Sequence, residues 1–131
     1  MKKIAILEDD TYIALELKEL LKNAGYQVLV ITDYEKSVEL ILKEKVDLAL
    51  LDINLPTANG EIILKELRKK TTMPIIMLTS RVTEVDEILS MSYGADDYIT
   101  KPYNPTILLL RIQNVLKRTE NTTSSLIYNN I

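Results

Sequence analysis

The residues with the most chemistry in this sequence stand directly behind apolar runs. Ile4 to Leu7 ends in Glu8, Asp9 and Asp10, and Asp47 to Leu51 ends in Asp52. Met73 to Leu78 is followed by Thr79 and Ser80, and Asp97 to Thr100 by Lys101. Carboxylates brought together repel, so three of them need a cation or a proton to coexist. An oxygen-only donor set suits Mg²⁺, which takes a few carboxylates and completes its shell with water and phosphate oxygens. A carboxylate beside such an ion can act as a nucleophile and form an aspartyl phosphate. Lys101 would supply a point charge for phosphoryl oxygens, and Thr79 a hydroxyl. Singly, each has a plainer role. Asp9 or Asp10 can cap a helix, Asp52 can serve a turn, Thr79 can cap the helix that follows it, and Lys101 can be solvated. At the ends of four strands of one sheet, they point to a common site.

The elements that must position them alternate. Apolar runs at Ile4–Leu7, Val28–Ile31, Asp47–Leu51, Met73–Leu78 and Asp97–Thr100 read as strands. Between and after them, apolar residues recur at helical spacing: Ile13, Leu17, Leu20 and Leu21; Val38, Leu40, Ile41 and Leu42; Ile62, Ile63, Leu64 and Leu67; Val85, Ile88 and Leu89; and Ile107 through Leu116 after Pro105. Gly25 and Gly94 stop two of these helices, and Asn54, Pro56, Asn59 and Gly60 mark a loop. Five strand–helix pairs with right-handed crossovers give an α/β fold, a doubly wound five-stranded parallel sheet with five helices. The strand order 2-1-3-4-5 is taken from the flavodoxin-like class rather than derived from this pattern. In that order strands one and three are neighbours, and ligands bind beyond the carboxyl ends of the strands.

Composition bounds the alternatives. The chain has 131 residues, 47% of them hydrophobic and 27% charged, which fits one domain with a core of its own. With no Cys and no His, thiol chemistry, disulfides, catalytic triads and His-ligated zinc are excluded. A net charge of −3 gives no general attraction to nucleic acid or anionic lipid. No stretch approaches the roughly 18 apolar residues of a membrane span. The opening Met1-Lys2-Lys3 looks like a secretory start, but the apolar run stops at Glu8, so a cytoplasmic protein is expected.

Four separated motifs carry a resemblance, in order and spacing. They are Ile-Leu-Glu-Asp-Asp at 6–10, Leu-Leu-Asp-Ile-Asn-Leu-Pro at 50–56 with Gly60, Met-Leu-Thr-Ser at 77–80, and Gly-Ala-Asp-Asp-Tyr-Ile-Thr-Lys-Pro-Tyr at 94–103. The chain resembles the response-regulator receiver domains of bacterial two-component signalling from residue 2 to about 118. The resemblance implies Asp52 as phosphoacceptor. It implies Glu8, Asp9, Asp52 and the backbone carbonyl of Asn54 as Mg²⁺ ligands, and Thr79 and Lys101 as partners of the phosphoryl oxygens. Thr79 and Tyr98 would form the switch pair, although plain packing at a strand end is the simpler reading of Tyr98. Asn54 and Arg81 would modulate hydrolysis. The phosphoryl donor would be a sensor histidine kinase, and the chain a switch rather than a turnover enzyme.

Residues 94–118 are most similar to the subfamily carrying a winged-helix DNA-binding domain. On that reading, 1–118 is the receiver domain, and 119–131 is a linker or the start of a C-terminal effector domain that alone would touch DNA. The subfamily forms homodimers through the fourth helix, fifth strand and fifth helix. Asp97 and Arg111 match one of its charged pairs. Glu87 and Ile107 replace another, and Asp96 lacks its basic partner because position 114 is Asn. Two other functions compete: a receiver that works by protein binding without phosphorylation, and a Mg²⁺-dependent phosphatase with an aspartyl nucleophile. The intact acidic, threonine and lysine set opposes the first. Asn54 opposes the second, because such an enzyme places an acid there.

Overall fold

The computed structural model describes residues 1–129, with side chains described through residue 119. Five strands, β1 (Lys3–Leu7), β2 (Gln27–Val30), β3 (Leu48–Leu51), β4 (Ile75–Thr79) and β5 (Asp97–Thr100), form one parallel sheet. Their order, β2-β1-β3-β4-β5, is the expected one. Five helices connect or follow them: α1 (Thr11–Asn23), α2 (Ser37–Lys43), α3 (Gly60–Lys70), α4 (Glu84–Ser92) and α5 (Pro105–Asn129). A 3-10 turn at Tyr34–Lys36 leads into α2.

The sheet is covered on both faces, which is why its central strands are apolar throughout rather than alternating. Leu48 to Leu51 and Ile75 to Thr79 are buried without interruption. One core layer gathers Ala5, Leu7, Ala49, Leu51, Ile75 and Met77 against α2 and α3. The other gathers Ile4, Ile6, Leu48, Leu50, Ile76 and Leu78 against Leu17 and Leu21 of α1 and Leu108, Ile112 and Val115 of α5.

The loop expected after Asp52 contains a small antiparallel ribbon, Asn54–Leu55 against Ala58–Asn59. Asn59 then caps α3, its Oδ1 accepting from the amides of Glu61 (2.7 Å) and Ile62 (3.3 Å). Gly94 has a φ of +105°, and a Cβ there would meet the Arg68 side chain at 2.8 Å. Glycine is therefore required at that turn for both backbone and packing reasons. Helix α5 runs past residue 118 to Asn129, in the stretch read from sequence as a linker or effector start. Residues 130 and 131 of that stretch lie outside the described residues. Among the described residues no helix is long and apolar enough to cross a membrane.

Candidate functional site

Register brings the acids together. Leu7 pairs with Leu51 across β1 and β3, so Glu8 and Asp52 leave the sheet side by side. One carboxylate oxygen from each of Glu8, Asp9 and Asp52 lies within 4.8 Å of the others. Thr79 pairs with Thr100 across β4 and β5, which delivers Lys101 to the same edge. Glu8, Asp9, Asp52 and Lys101 line an open cavity of about 560 Å³, shared with Asn54 and Ser80.

Each acid has its own environment. Asp10 is taken up by structure: its Oδ1 caps α1, accepting from the amides of Tyr12 (3.0 Å) and Ile13 (3.1 Å). Asp9 is exposed. Glu8 and Asp52 are buried, at 6% and 4% exposure. Both oxygens of Asp52 are engaged, Oδ1 by the amide of Asn54 (3.2 Å) and Oδ2 by the Lys101 ammonium (2.8 Å). The same ammonium donates to Glu8 Oε1, and the Asp10 amide donates to Glu8 Oε2 at 3.2 Å. Burial pushes the Glu8 carboxyl above its ordinary range, and the contacts with Lys101 and the Asp10 amide only partly offset this. Burial works against the charge on Lys101 too, but hydrogen bonds and attraction from Asp52 and Glu8 outweigh it and raise its pKa. Lys101 therefore acts as the resident cation of this carboxylate pair. The three-carboxylate, all-oxygen donor set fits a hard divalent ion.

Thr79 is fully buried and does not cap α4; Thr83 does that, accepting from the Asp86 amide at 3.2 Å. Thr79 Oγ1 instead accepts from the Arg81 amide (3.3 Å). Tyr98 is 6% exposed, and its hydroxyl donates to the Arg81 carbonyl at 2.8 Å. Burial, with Asp86, Glu61 and Glu87 nearby, pushes the Tyr98 hydroxyl up to about 12. The Arg81 guanidinium donates twice to Asn54 Oδ1, at 3.0 Å from Nε and 2.7 Å from Nη2. The two residues that the resemblance assigns to modulating hydrolysis are thus in direct contact.

Other expected residues lie elsewhere. Asp97 stands at the far end of β5 from Lys101 and pairs at 3.4 Å with Arg111 of α5, within the one chain. Ile107 and Leu110 on α5, and Val85 and Ile88 on α4, are exposed. Asp96, expected to lack its partner across the dimer face, is held within the chain by Arg68 at 2.7 Å and also accepts from the Ile75 amide. Arg68 also donates to the carbonyls of Gly94 (2.6 Å) and Met73 (2.7 Å). Tyr34, missed in the sequence, is buried, and its hydroxyl is raised by burial and by the nearby charges of Asp9, Glu8 and Asp52. No spacing signal links it to the acids.

A doubly wound sheet with buried acids, a lysine and a threonine at its carboxyl edge defines a receiver-type signalling domain. The response regulator receiver domain family matches residues 4–113, and the chain belongs to that family. It is 46% identical over 118 residues to the transcriptional regulatory protein CpxR of Klebsiella pneumoniae subsp. pneumoniae (strain HS11286), covering 90% of this chain and 50% of that protein. The chain thus spans about half the length of the curated relatives it matches. Its fold superimposes on a CheY-like receiver domain protein from Methanospirillum hungatei JF-1 with a TM-score of 0.88 and 35% identity, covering 93% and 98% of the two chains. The BeF3-activated receiver domain of Klebsiella pneumoniae RstA gives a TM-score of 0.84 and 36% identity, covering 88% and 98%. The chain is a receiver domain of a two-component response regulator related to transcriptional regulators.

Proposed function

We propose that this domain accepts a phosphoryl group on Asp52 from a sensor histidine kinase and passes the change to a dimer-forming, DNA-binding output. The observation that carries the reading is the contact of Lys101 with both Asp52 and Glu8, inside a cluster that includes Asp9. Glu8, Asp9, Asp52 and the Asn54 backbone carbonyl would hold Mg²⁺. When bound, the ion offsets negative charge on the phosphoryl oxygens. The chain has no His, so the phosphohistidine belongs to the partner. An Asp52 oxygen attacks phosphorus, the phosphorus–nitrogen bond breaks, and the freed imidazole leaves with its electron pair. Lys101 exchanges a carboxylate partner for a phosphoryl oxygen, and the Thr79 hydroxyl donates to another.

Output then runs through Thr79 and Tyr98, joined by the backbone of Arg81. Drawing Thr79 toward the phosphoryl group shifts Arg81 and with it the acceptor of the Tyr98 hydroxyl, biasing the α4–β5–α5 face. Homodimers form on that face. The exposed apolar side chains of Val85, Ile88, Ile107 and Leu110 carry more of the contact there than ion pairs do. DNA is bound through an effector domain following the receiver, in the cytoplasm. The domain switches rather than turns over substrate, since the Asn54 carboxamide cannot protonate a leaving group. The test is incubation with acetyl phosphate, or beryllofluoride, and Mg²⁺. The native chain changes its spectra and oligomeric state while Asp52→Ala does not; identical behaviour of the two proteins sinks the proposal.

A further inference from the structure

The guanidinium of Arg81 sits at the mouth of the acidic cavity, and something must hold it there. Its two bonds to Asn54 Oδ1 use Nε and Nη2. The remaining nitrogen, Nη1, faces Asp86 Oδ1 at 3.4 Å. Arg81 is 38% exposed at its side chain, but Asp86 is only 18% exposed. Asp86 is itself fixed. Its Oδ2 accepts from the Thr83 hydroxyl at 2.6 Å, and its amide donates back to Thr83 Oγ1 at 3.2 Å. This reciprocal cap anchors Asp86 in the first turn of α4, where the positive end of the helix dipole favours a carboxylate. Asn54, Arg81, Asp86 and Thr83 thus form one hydrogen-bonded line from the cavity mouth to the start of α4.

We infer that Asp86 is a positioning residue that parks Arg81 on Asn54 and thereby lengthens the life of a phosphoryl group on Asp52. This rests on the phosphoacceptor reading above. With Arg81 parked, the Asn54 carboxamide oxygen is occupied by two donors and cannot orient water. Without Asp86, Arg81 keeps its stem and charge but loses its outer anchor. Asn54 is then free to hold a water, and the acyl phosphate hydrolyses faster. Among the described residues Asp86 makes no hydrogen bond to the acids; its hold on Asn54 runs through Arg81.

The test uses the full chain loaded with acetyl phosphate and Mg²⁺, then freed of donor, with loss of phosphoprotein followed over time. Asp86→Asn should decay faster by about two- to fivefold, the bias a partly exposed ion pair can exert. Asp86→Glu should restore the slower rate. In an Arg81→Ala background the same Asp86→Asn change should have no effect. A purely structural role at the α4 cap would instead give the same change in both backgrounds. A second reading needs no phosphorylation: the Arg81 Nε–H NMR signal should be sharp and slowly exchanging in the native chain, and averaged in Asp86→Asn. An unchanged signal in Asp86→Asn, or equal decay of that variant and the native chain, overturns the inference. Failure of the native chain to be labelled at all, with the NMR difference intact, would fault the phosphoacceptor reading and leave the Arg81 anchor standing.

Discussion

Replacing Lys101 by Met tests the electrostatics of the site without touching an acid. The side chains of Lys101, Glu8 and Asp52 are 11%, 4% and 5% exposed, and the ammonium contacts both carboxylates, Asp52 at 2.8 Å. Removing it leaves two buried negative charges facing each other. Breaking a buried pair in this way costs about 3–5 kcal/mol. The cavity opens to water, so the low end applies: about 3 kcal/mol, or a fall of roughly 10 °C in Tm for a domain of this size. The loss must also depend on pH. Burial already holds the Glu8 pKa above 4.5, and Lys101 opposes that rise, so the substitution raises it further. A group with a raised folded pKa contributes most below its unfolded value and loses that contribution as pH rises through the folded one. Lys101→Met should therefore be weakened most at neutral pH and less at a mildly acidic pH, as Glu8 takes up a proton. At neutral pH, Mg²⁺ at about ten times its Kd should return about 1.4 kcal/mol. Urea unfolding at both pH values, with and without Mg²⁺, measures all three effects. Equal loss at the two pH values, or no loss at neutral pH, would refute the reasoning.

Three further outcomes follow from local geometry. Tyr98 has a pKa raised from 10 to about 12, so its contribution is whole below pH 10 and is lost as pH climbs toward 12; the total is about 2–3 kcal/mol. Tyr98→Phe should abolish that alkaline slope in urea midpoints and, by losing the bond to the Arg81 carbonyl, cost about 1 kcal/mol at neutral pH. In Gly60→Ala the new Cβ would meet the Asp52 carbonyl oxygen at 2.0 Å, so the backbone at Asp52 must move. A loss of about 2–3 kcal/mol in calorimetry, with phosphorylation slowed beyond the stability effect, is expected. Ser90 is the buried residue of α4, and its hydroxyl has no partner among the described residues. Ser90→Ala should be neutral or stabilising by up to about 1 kcal/mol in the same assay.

The sheet, its helices and the acid cluster were legible because they are written in short-range pattern. Apolar runs ending in Glu8 and Asp52 specify buried strands. Once the strand order is taken from the fold class, register alone sets those acids side by side. Side-chain pairing across the fold was not legible. Arg68 reaches Asp96 across 28 positions, and no local spacing distinguishes Arg68 from Lys69 or Lys70 beside it. The contact between Asn54 and Arg81 likewise spans 27 positions. Thr79 reads from the sequence as a possible cap of the helix that follows it; β4 is buried to its last residue, and Thr83, which the sequence reading did not name, caps α4. The ribbon at 54–59 is too short for an alternating pattern to mark it.

The central claim is that Asp52, and not its neighbours, takes the phosphoryl group. Borohydride reduces an acyl phosphate to an alcohol and turns an aspartyl phosphate into homoserine, which tandem mass spectrometry can place in the chain. After acetyl phosphate and Mg²⁺, homoserine should be found at position 52, and its yield should collapse when Mg²⁺ is chelated. A reduced residue at Asp9 with Asp52 intact, or no reduced residue under conditions that leave the fold unchanged, would contradict the account.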